Sequence, residues 1–262
     1  MASGETALIT GASSGIGREL AALAAEDGCR LILTAHEPEV KTVADALRGR
    51  GVDVTTVVAD LATARGVEEL WAAVGSQRID YLLANAGRGL GDAFLDQSLD
   101  RIEEVIHLNV TGTTALVHRA AQSMRDAGGG RILITGSLAG NIPGSYQAVY
   151  NATKAYIDTF AYGIRNELKD AGVTVTCLMP GPVETDFFHR ADMDDTPVGQ
   201  SDSKADAEKV AREGWMAVKA GKSGVSPTFM TKLQSAMSGI LPDSVLARLH
   251  RDMAEPEEKT HG

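Results

Sequence analysis

Aromatic residues make up only 5% of this 262-residue chain, and cysteine occurs twice. A core must therefore be filled mostly by Ala, Val, Leu and Ile, which dominate the 44% hydrophobic content and suffice for one large α/β domain. Cys29 and Cys177 each fall in an apolar, strand-like run with no CxxC spacing. That excludes a disulfide framework and a structural zinc site, and it fits a reducing compartment. Positive charge is also short: 25 Lys and Arg face 35 Asp and Glu, a formal charge of −10. Neutralising phosphates takes clustered Lys and Arg, so neither nucleic acid nor an anionic membrane is an expected partner. No run of about 18 apolar residues is present to span a bilayer. The opening MASGETALITG has neither the basic start nor the apolar stretch of a signal peptide. His107, His118 and His250 lack carboxylate or histidine partners at metal spacing, so no metal site is expected. These absences together predict a soluble, cytoplasmic protein.

What the chain does have is alternation. Apolar runs at residues 6–10, 29–35, 52–60, 79–87, 131–137 and 173–181 read as strands. Between them, helical periodicity runs through residues 15–27, 39–50, 64–76, 100–127 and 149–171. Strands that are apolar throughout need helices on both sheet faces. The expectation is a doubly wound, mostly parallel α/β sheet of about seven strands, the Rossmann arrangement, in one domain spanning residues 1–262. After Gly181 the pattern breaks. Residues 184–204 are acidic, rich in turn formers and carry Phe187 and Phe188, which predicts a loop or lid over a substrate. A helix over 205–220 follows, and GKSGVSPTF has room for a short last strand. Leu233, Met237, Leu246 and Leu249, interrupted at Pro242, predict two short helices in a C-terminal extension over 228–262.

Two stretches carry chemistry. TGASSGIG, residues 10–17, joins the first strand to the first helix and places Gly11, Gly15 and Gly17 in a G-x-x-x-G-x-G spacing. Glycines there let backbone approach a pyrophosphate, which the helix N-terminus attracts through its free N–H groups and dipole. In AVYNATKAYIDTF, Tyr150 and Lys154 stand four residues apart, so phenol and ammonium leave the same face of a helix. A phenol has an ordinary pKa near 10, too high for a good base at neutral pH. An ammonium about 4 Å away, at an effective dielectric of about 20, favours the phenolate by roughly 4 kcal/mol. Lys154 is therefore expected to hold Tyr150 well below the usual range.

With TGASSGIG come, in order, Asp60 in VADL, Asn85-Ala86-Gly87, Asn109 in HLNV, Ser137, Tyr150 with Lys154, and PGPVETDF from Pro180. This series resembles the short-chain dehydrogenase/reductase family in its single-domain form, over about residues 6–187. Ser137 precedes Tyr150 by thirteen residues, the family's spacing. The four-residue Tyr–Lys step separates the chain from the enoyl-reductase branch.

The resemblance implies an NAD(P)-dependent oxidoreductase that interconverts a ketone or aldehyde and an alcohol by hydride transfer. It implies Tyr150 as general acid/base, Ser137 as hydrogen-bond partner of the substrate oxygen, and Lys154 on the nicotinamide ribose. Asn109 would hold a water that links Lys154 to solvent. For the cofactor it implies contacts from Gly11, Ser13, Ser14, Gly15, Ile16 and Gly17 in the glycine loop. Asp60, with Leu61 beside it, would meet the adenine, and Asn85, Ala86 and Gly87 would line the groove. Pro180, Gly181 and Val183 would follow, with Thr185 on the nicotinamide carboxamide. Simpler roles stand beside these: Asp60 could cap a helix, Ser137 satisfy a turn, and Asn109 bond within its helix.

The 2′ position of the adenosine ribose is read just after the second strand, where an acid favours the hydroxyl and rejects a phosphate. Ala35 leaves room there, His36 can be partly cationic, and Glu37 pulls the other way. The balance leans to NADP(H) over NAD(H). Phe94, Leu95, Leu138, Asn141, Ile142, Phe187 and Phe188 are expected to line an apolar substrate pocket. The helices over 100–127 and 149–171 carry small residues that permit close approach, so a homo-oligomer, tetramer or dimer, is expected. The alternative function is a nucleotide-binding regulatory or scaffolding protein without turnover. The intact set Asn109, Ser137, Tyr150 and Lys154 argues against it.

Overall fold

Strands apolar along their whole length need cover on both faces, and the fold supplies it. The computed structural model describes residues 4–227 and 242–256. Seven strands, β1 (Thr6–Thr10), β2 (Arg30–Ala35), β3 (Val54–Val58), β4 (Tyr81–Ala84), β5 (Gly130–Thr135), β6 (Val173–Leu178) and β7 (Gly224–Val225), form one sheet. Their order is β3-β2-β1-β4-β5-β6-β7, and every pairing is parallel. The helices are α1 (Gly15–Glu26), α2 (Val40–Arg48), α3 (Ala64–Val74), α4 (Leu99–Ile106), α5 (Thr113–Asp126), α6 (Ala148–Leu168), α7 (Phe187–Arg190), α8 (Pro197–Gln200), α9 (Ala207–Lys219) and α10 (Asp243–Ala254).

Side chains alternate across each strand, so one sheet builds two cores. Ile9, Leu33, Leu83 and Leu133 face α1, α2 and α9, where Leu20, Ala44 and Trp215 meet them. Leu8, Ile32, Leu82 and Ile132 face α3, α5 and α6, packing with Leu70, Leu116 and Ile157. Strand order reverses between β1 and β4, and their carboxyl ends diverge there into a crevice.

The continuous helix expected over residues 100–127 is interrupted. α4 passes through a π-helical turn, His107–Gly112, before α5 begins. The wider turn carries Asn109 into the interior. The loop after β3 runs between this turn and α3: a methyl group on Gly112 would overlap the Leu61 carbonyl oxygen, and one on Gly66 the Asp60 carbonyl oxygen. Bare backbone at both glycines thus fixes the position of Asp60 and Leu61. Residues 184–204, expected as a loop or lid, contain the short helices α7 and α8. Of the two helices expected near the C-terminus, the second is α10, which starts after Pro242. The first, around Leu233 and Met237, lies outside the described residues.

α6 buries a carboxylate where it crosses the sheet. The Asp158 side chain lies against the backbone of Gly136, just after β5, where any side chain would overlap its Oδ1. That oxygen accepts a hydrogen bond from Cys177 Sγ at 3.3 Å, while Oδ2 has no hydrogen-bond partner among the described residues. Burial pushes the Asp158 pKa up to about 6, against the opposing pull of Cys177 and of the Lys154 charge.

Two consequences can be measured. Gly112→Ala is expected to destabilise by about 1–3 kcal/mol, with Tm down several degrees, whereas Gly163→Ala should stabilise by up to about 1 kcal/mol. Gly163 lies in α6 with nothing within 4 Å of where its Cβ would stand. Thermal unfolding of both variants decides, and a Gly112→Ala protein as stable as wild type would refute the close approach. The second concerns Asp158, which in the folded chain keeps its proton to about pH 6 and in the unfolded chain loses it near pH 3.8. Its contribution is therefore full below the unfolded pKa and lost as pH rises through the folded one. Urea titrations should show Asp158→Asn gaining about 2 kcal/mol on wild type between about pH 4.5 and about pH 7.5. An offset independent of pH would contradict this.

Candidate active site

The crevice is closed at its base by hydrogen bonds among strand ends. Thr10 Oγ1, ending β1, accepts from the amides of Asn85 at 3.0 Å and Ala86 at 2.9 Å, just past β4. Asn85 Nδ2 donates back to the Thr10 carbonyl at 3.3 Å, and its Oδ1 accepts from Thr135 Oγ1 of β5 at 3.1 Å. Above this base the glycine loop turns into α1. Gly11 (φ +65°) and Gly15 (φ +51°) hold left-handed backbone. A Cβ at Gly15 would stand 2.9 Å from Thr185 Cγ2. Gly17 lies beneath the loop, where a side chain would overlap the Gly11 carbonyl, and it does not line the cavity. Ser14 at the N-terminal cap makes no side-chain bond to α1. The first-turn amides, with the helix dipole behind them, suit an anion.

From this loop a cavity of about 760 Å³ runs past Asp60, Leu61 and Asn85-Ala86-Gly87 to Ser137, Tyr150 and Lys154. That size suits a cofactor with a small substrate. Gly11, Ser13, Ser14, Gly15, Ile16, His36, Pro180, Gly181, Val183 and Thr185 also border it. The bare glycine backbone and the uncapped helix end fit the pyrophosphate of a dinucleotide. Asp60 Oδ1 accepts from the Ala62 amide at 3.0 Å, but Thr63 caps α3. Among the described residues no three His, Cys, Asp or Glu side chains group as metal ligands.

At the inner end Tyr150 and Lys154 share the buried face of α6. Ser137, after β5, hydrogen-bonds the Tyr150 phenol, and its Oγ also accepts from the Ala139 amide at 3.1 Å. Lys154 Nζ donates to the Thr135 carbonyl at 2.8 Å and lies 5.9 Å from the centre of the Tyr150 ring. The electrostatics differ from the sequence-based expectation. Burial pushes the Tyr150 pKa up to about 12; the Ser137 bond pulls it down and the Asp158 charge adds to the rise. Burial also lowers Lys154, against Asp158 and Cys177. The ammonium is engaged by a backbone carbonyl, and desolvation of the phenol outweighs what it could offer.

Asn109 lies behind Gly87 and does not border the cavity. Its Oδ1 accepts from the Arg88 amide at 2.9 Å, and its Nδ2 donates to the Arg88 carbonyl at 2.9 Å and to Thr153 Oγ1 at 3.0 Å. Both Nδ2 hydrogens are thus used to brace the turn after β4 against α6.

The segment after Gly181 covers the cavity. Phe187 stands 5.4 Å, centre to centre, from the Tyr150 ring, and Phe188 packs with Ala191 and Met193. The Gly91 amide donates to the Ala191 carbonyl at 2.8 Å, and Arg101 pairs with Asp192. Leu138, Asn141 and Ile142 line the cavity as expected. Phe94 and Leu95 do not: they are 60% and 91% exposed. Gln97 Nε2 holds the carbonyls of Gly91 and Asp92 at 3.0 and 2.8 Å, and this turn carries both side chains outward.

Sequence reasoning missed one wall altogether. Leu246, Leu249, His250 and Met253 of α10 border the cavity. His250 Nδ1 lies 2.9 Å from the Ser145 carbonyl and Nε2 3.4 Å from Asn151 Nδ2; burial lowers its pKa, against the Ser145 bond. In the sequence this helix shows only an apolar stripe. Also missed was Arg190, which reaches from α7 to Glu37.

Residues 5–196 match the short chain dehydrogenase family. The sulfoacetaldehyde reductase of Chromohalobacter salexigens is 37% identical over 185 residues, 68% of this chain and 72% of that protein. A short-chain dehydrogenase from Sphingobium yanoikuyae, solved in complex with NADPH, has TM-score 0.81 and 29% identity over 90% of this chain and 94% of its own. The bulky-bulky ketone specific alcohol dehydrogenase from Comamonas testosteroni has TM-score 0.77 and 26% identity over 90% and 93%. Sheet order, cavity and sequence match agree: the chain belongs to the short-chain dehydrogenase family.

Proposed function

We propose that this oxidoreductase interconverts a ketone or aldehyde and the corresponding alcohol at the expense of a nicotinamide dinucleotide, with Tyr150 as its acid–base group. The observation that carries the reading is one continuous cavity, with a glycine loop at one end and the hydrogen-bonded Ser137 and Tyr150 beside Lys154 at the other. A bound nicotinamide supplies the hydride in reduction and accepts it in oxidation. Tyr150, whose burial keeps it protonated at neutral pH, gives its proton to the carbonyl oxygen as the C–H bond forms. Ser137 orients that oxygen. Lys154 places a positive charge beside the resulting phenolate and binds the nicotinamide ribose, and Asn109 braces the turn behind them.

Ile142, Phe187, Leu246, Leu249 and Met253 give the substrate end an apolar wall, which favours a hydrophobic ketone or secondary alcohol. The likeness to a bulky-ketone alcohol dehydrogenase supports this. Ala35 and the NADPH-bound neighbour support NADP(H) over NAD(H). Cys29 and Cys177 are buried and form no disulfide, which suits the cytoplasm. Self-association as a tetramer or dimer would use the faces of α5 and α6, where Tyr156 and Tyr162 are each 43% exposed.

The test is oxidation of NADH and NADPH in parallel over a panel that includes bulky ketones and sulfoacetaldehyde; preference for the latter would overturn the hydrophobic reading. Tyr150→Phe is expected to lower turnover by at least about 10²-fold while cofactor affinity stays near wild type. Near-normal turnover in that variant would sink the mechanism. Light scattering at micromolar concentration should show a species larger than the 27.5 kDa chain, and a monomer alone would refute self-association.

A further inference from the structure

Glu37 conflicts with a preference for NADP(H). It lies twenty residues after Gly17, just past β2, where a carboxylate grips a ribose 2′-hydroxyl and repels a 2′-phosphate. The fold sets a guanidinium on it. Arg190, the last residue of α7, places Nη1 3.0 Å from Glu37 Oε1, and its Nη2 donates to Ser14 Oγ at 3.3 Å. The second Glu37 oxygen accepts from Ser13 Oγ at 3.1 Å. Burial opposes ionisation of Glu37, yet its own amide and Arg190 hold its pKa below the ordinary value. The other charged or titratable groups are Asp186, 3.7 Å from Arg190, and His36, 3.9 Å from Glu37. Ser13, Ser14, Glu37 and Arg190 all border the cavity beside the glycine loop. Arg101 donates to the Arg190 carbonyl at 3.4 Å and so fastens the segment that carries it.

We infer that Arg190 reads the 2′ position of the adenosine ribose from the lid, neutralising Glu37 and offering its remaining donors to a 2′-phosphate. The inference rests on the reading of the cavity as a dinucleotide site. A guanidinium has five N–H donors in a planar fork, enough to keep a carboxylate on one edge and take a phosphate on another. A 2′-hydroxyl gains little from it, because Glu37 alone serves that group. Without Arg190 a phosphate loses a cation and meets a bare carboxylate. Arg190 also stands three residues after Phe187, which covers Tyr150, so one short helix touches both ends of the cavity.

Calorimetric titration of the full chain with NADPH and NADH, in the absence of substrate, tests this. Arg190→Ala is expected to weaken NADPH about 10- to 100-fold and NADH by less than about threefold. Adding Glu37→Gln to that variant should restore much of the NADPH affinity, because it removes the uncompensated charge. Retained NADH affinity reports an intact fold. Equal losses for both cofactors, no loss for either, or no recovery with Glu37→Gln would overturn the assignment. A wild type that binds NADH and not NADPH overturns it while leaving the dinucleotide site standing. A wild type that binds neither overturns that underlying reading, and the assignment with it.

Discussion

Where β1 and β4 diverge, one threonine hydroxyl accepts hydrogen bonds from two successive amides of the neighbouring strand end. The site depends on this contact. In a parallel sheet whose order reverses, the two strands at the reversal send their chains to opposite faces, and the gap is open to solvent. Thr10 closes its floor, and Asn85 extends the tie to β5. With the floor fixed, Gly11 lies against Ala86 closely enough that a Cβ would stand 3.0 Å from its Cα. The glycine loop therefore has one height above the sheet, and α1 one direction.

The second constraint is the buried polar face of α6. Tyr150, Lys154 and Asp158 follow one another at single-turn spacing, and all three are buried. Taking such groups out of water costs free energy unless each is paired. The pairing is uneven: the phenol has Ser137, the ammonium has the Thr135 carbonyl, and one carboxylate oxygen of Asp158 has none among the described residues. Each group answers by shifting toward its neutral form, Tyr150 and Asp158 upward and Lys154 downward. The phenol and the carboxyl thus hold their protons more firmly than free side chains would, and the ammonium less firmly. The phenol is therefore protonated at neutral pH.

The covering segment joins the two ends of the cavity. Within four residues it presents Phe187 to Tyr150 and Arg190 to Glu37, and Arg101 and the Gly91 amide hold it from the other side. Groups that border different parts of the cavity are thus borne on one short helix.

The sequence by itself determined the layers, and most of the residues it singled out border one cavity. Strands and helices appear as windows of a few residues, because alternation and helical periodicity are local consequences of backbone geometry. The glycine loop and the Tyr150–Lys154 pair were legible for the same reason: each lies within one turn or one helix. Tertiary structure decided what depends on residues far apart in the chain. The π-helical turn that carries Asn109 inward reads locally as ordinary helix, and Asn109 meets Arg88 and Thr153 only after packing. The direction of the Tyr150 shift follows from burial and from where Lys154 turns, neither of which is fixed by their spacing. Phe94 and Leu95 look like pocket residues and point outward, because Gln97 turns their loop. Glu37 and Arg190, 153 residues apart, meet only because the segment after Gly181 folds back over the end of β2. Short-range hydrogen bonding is written in neighbouring residues, whereas charge and burial are set by whatever the fold brings alongside.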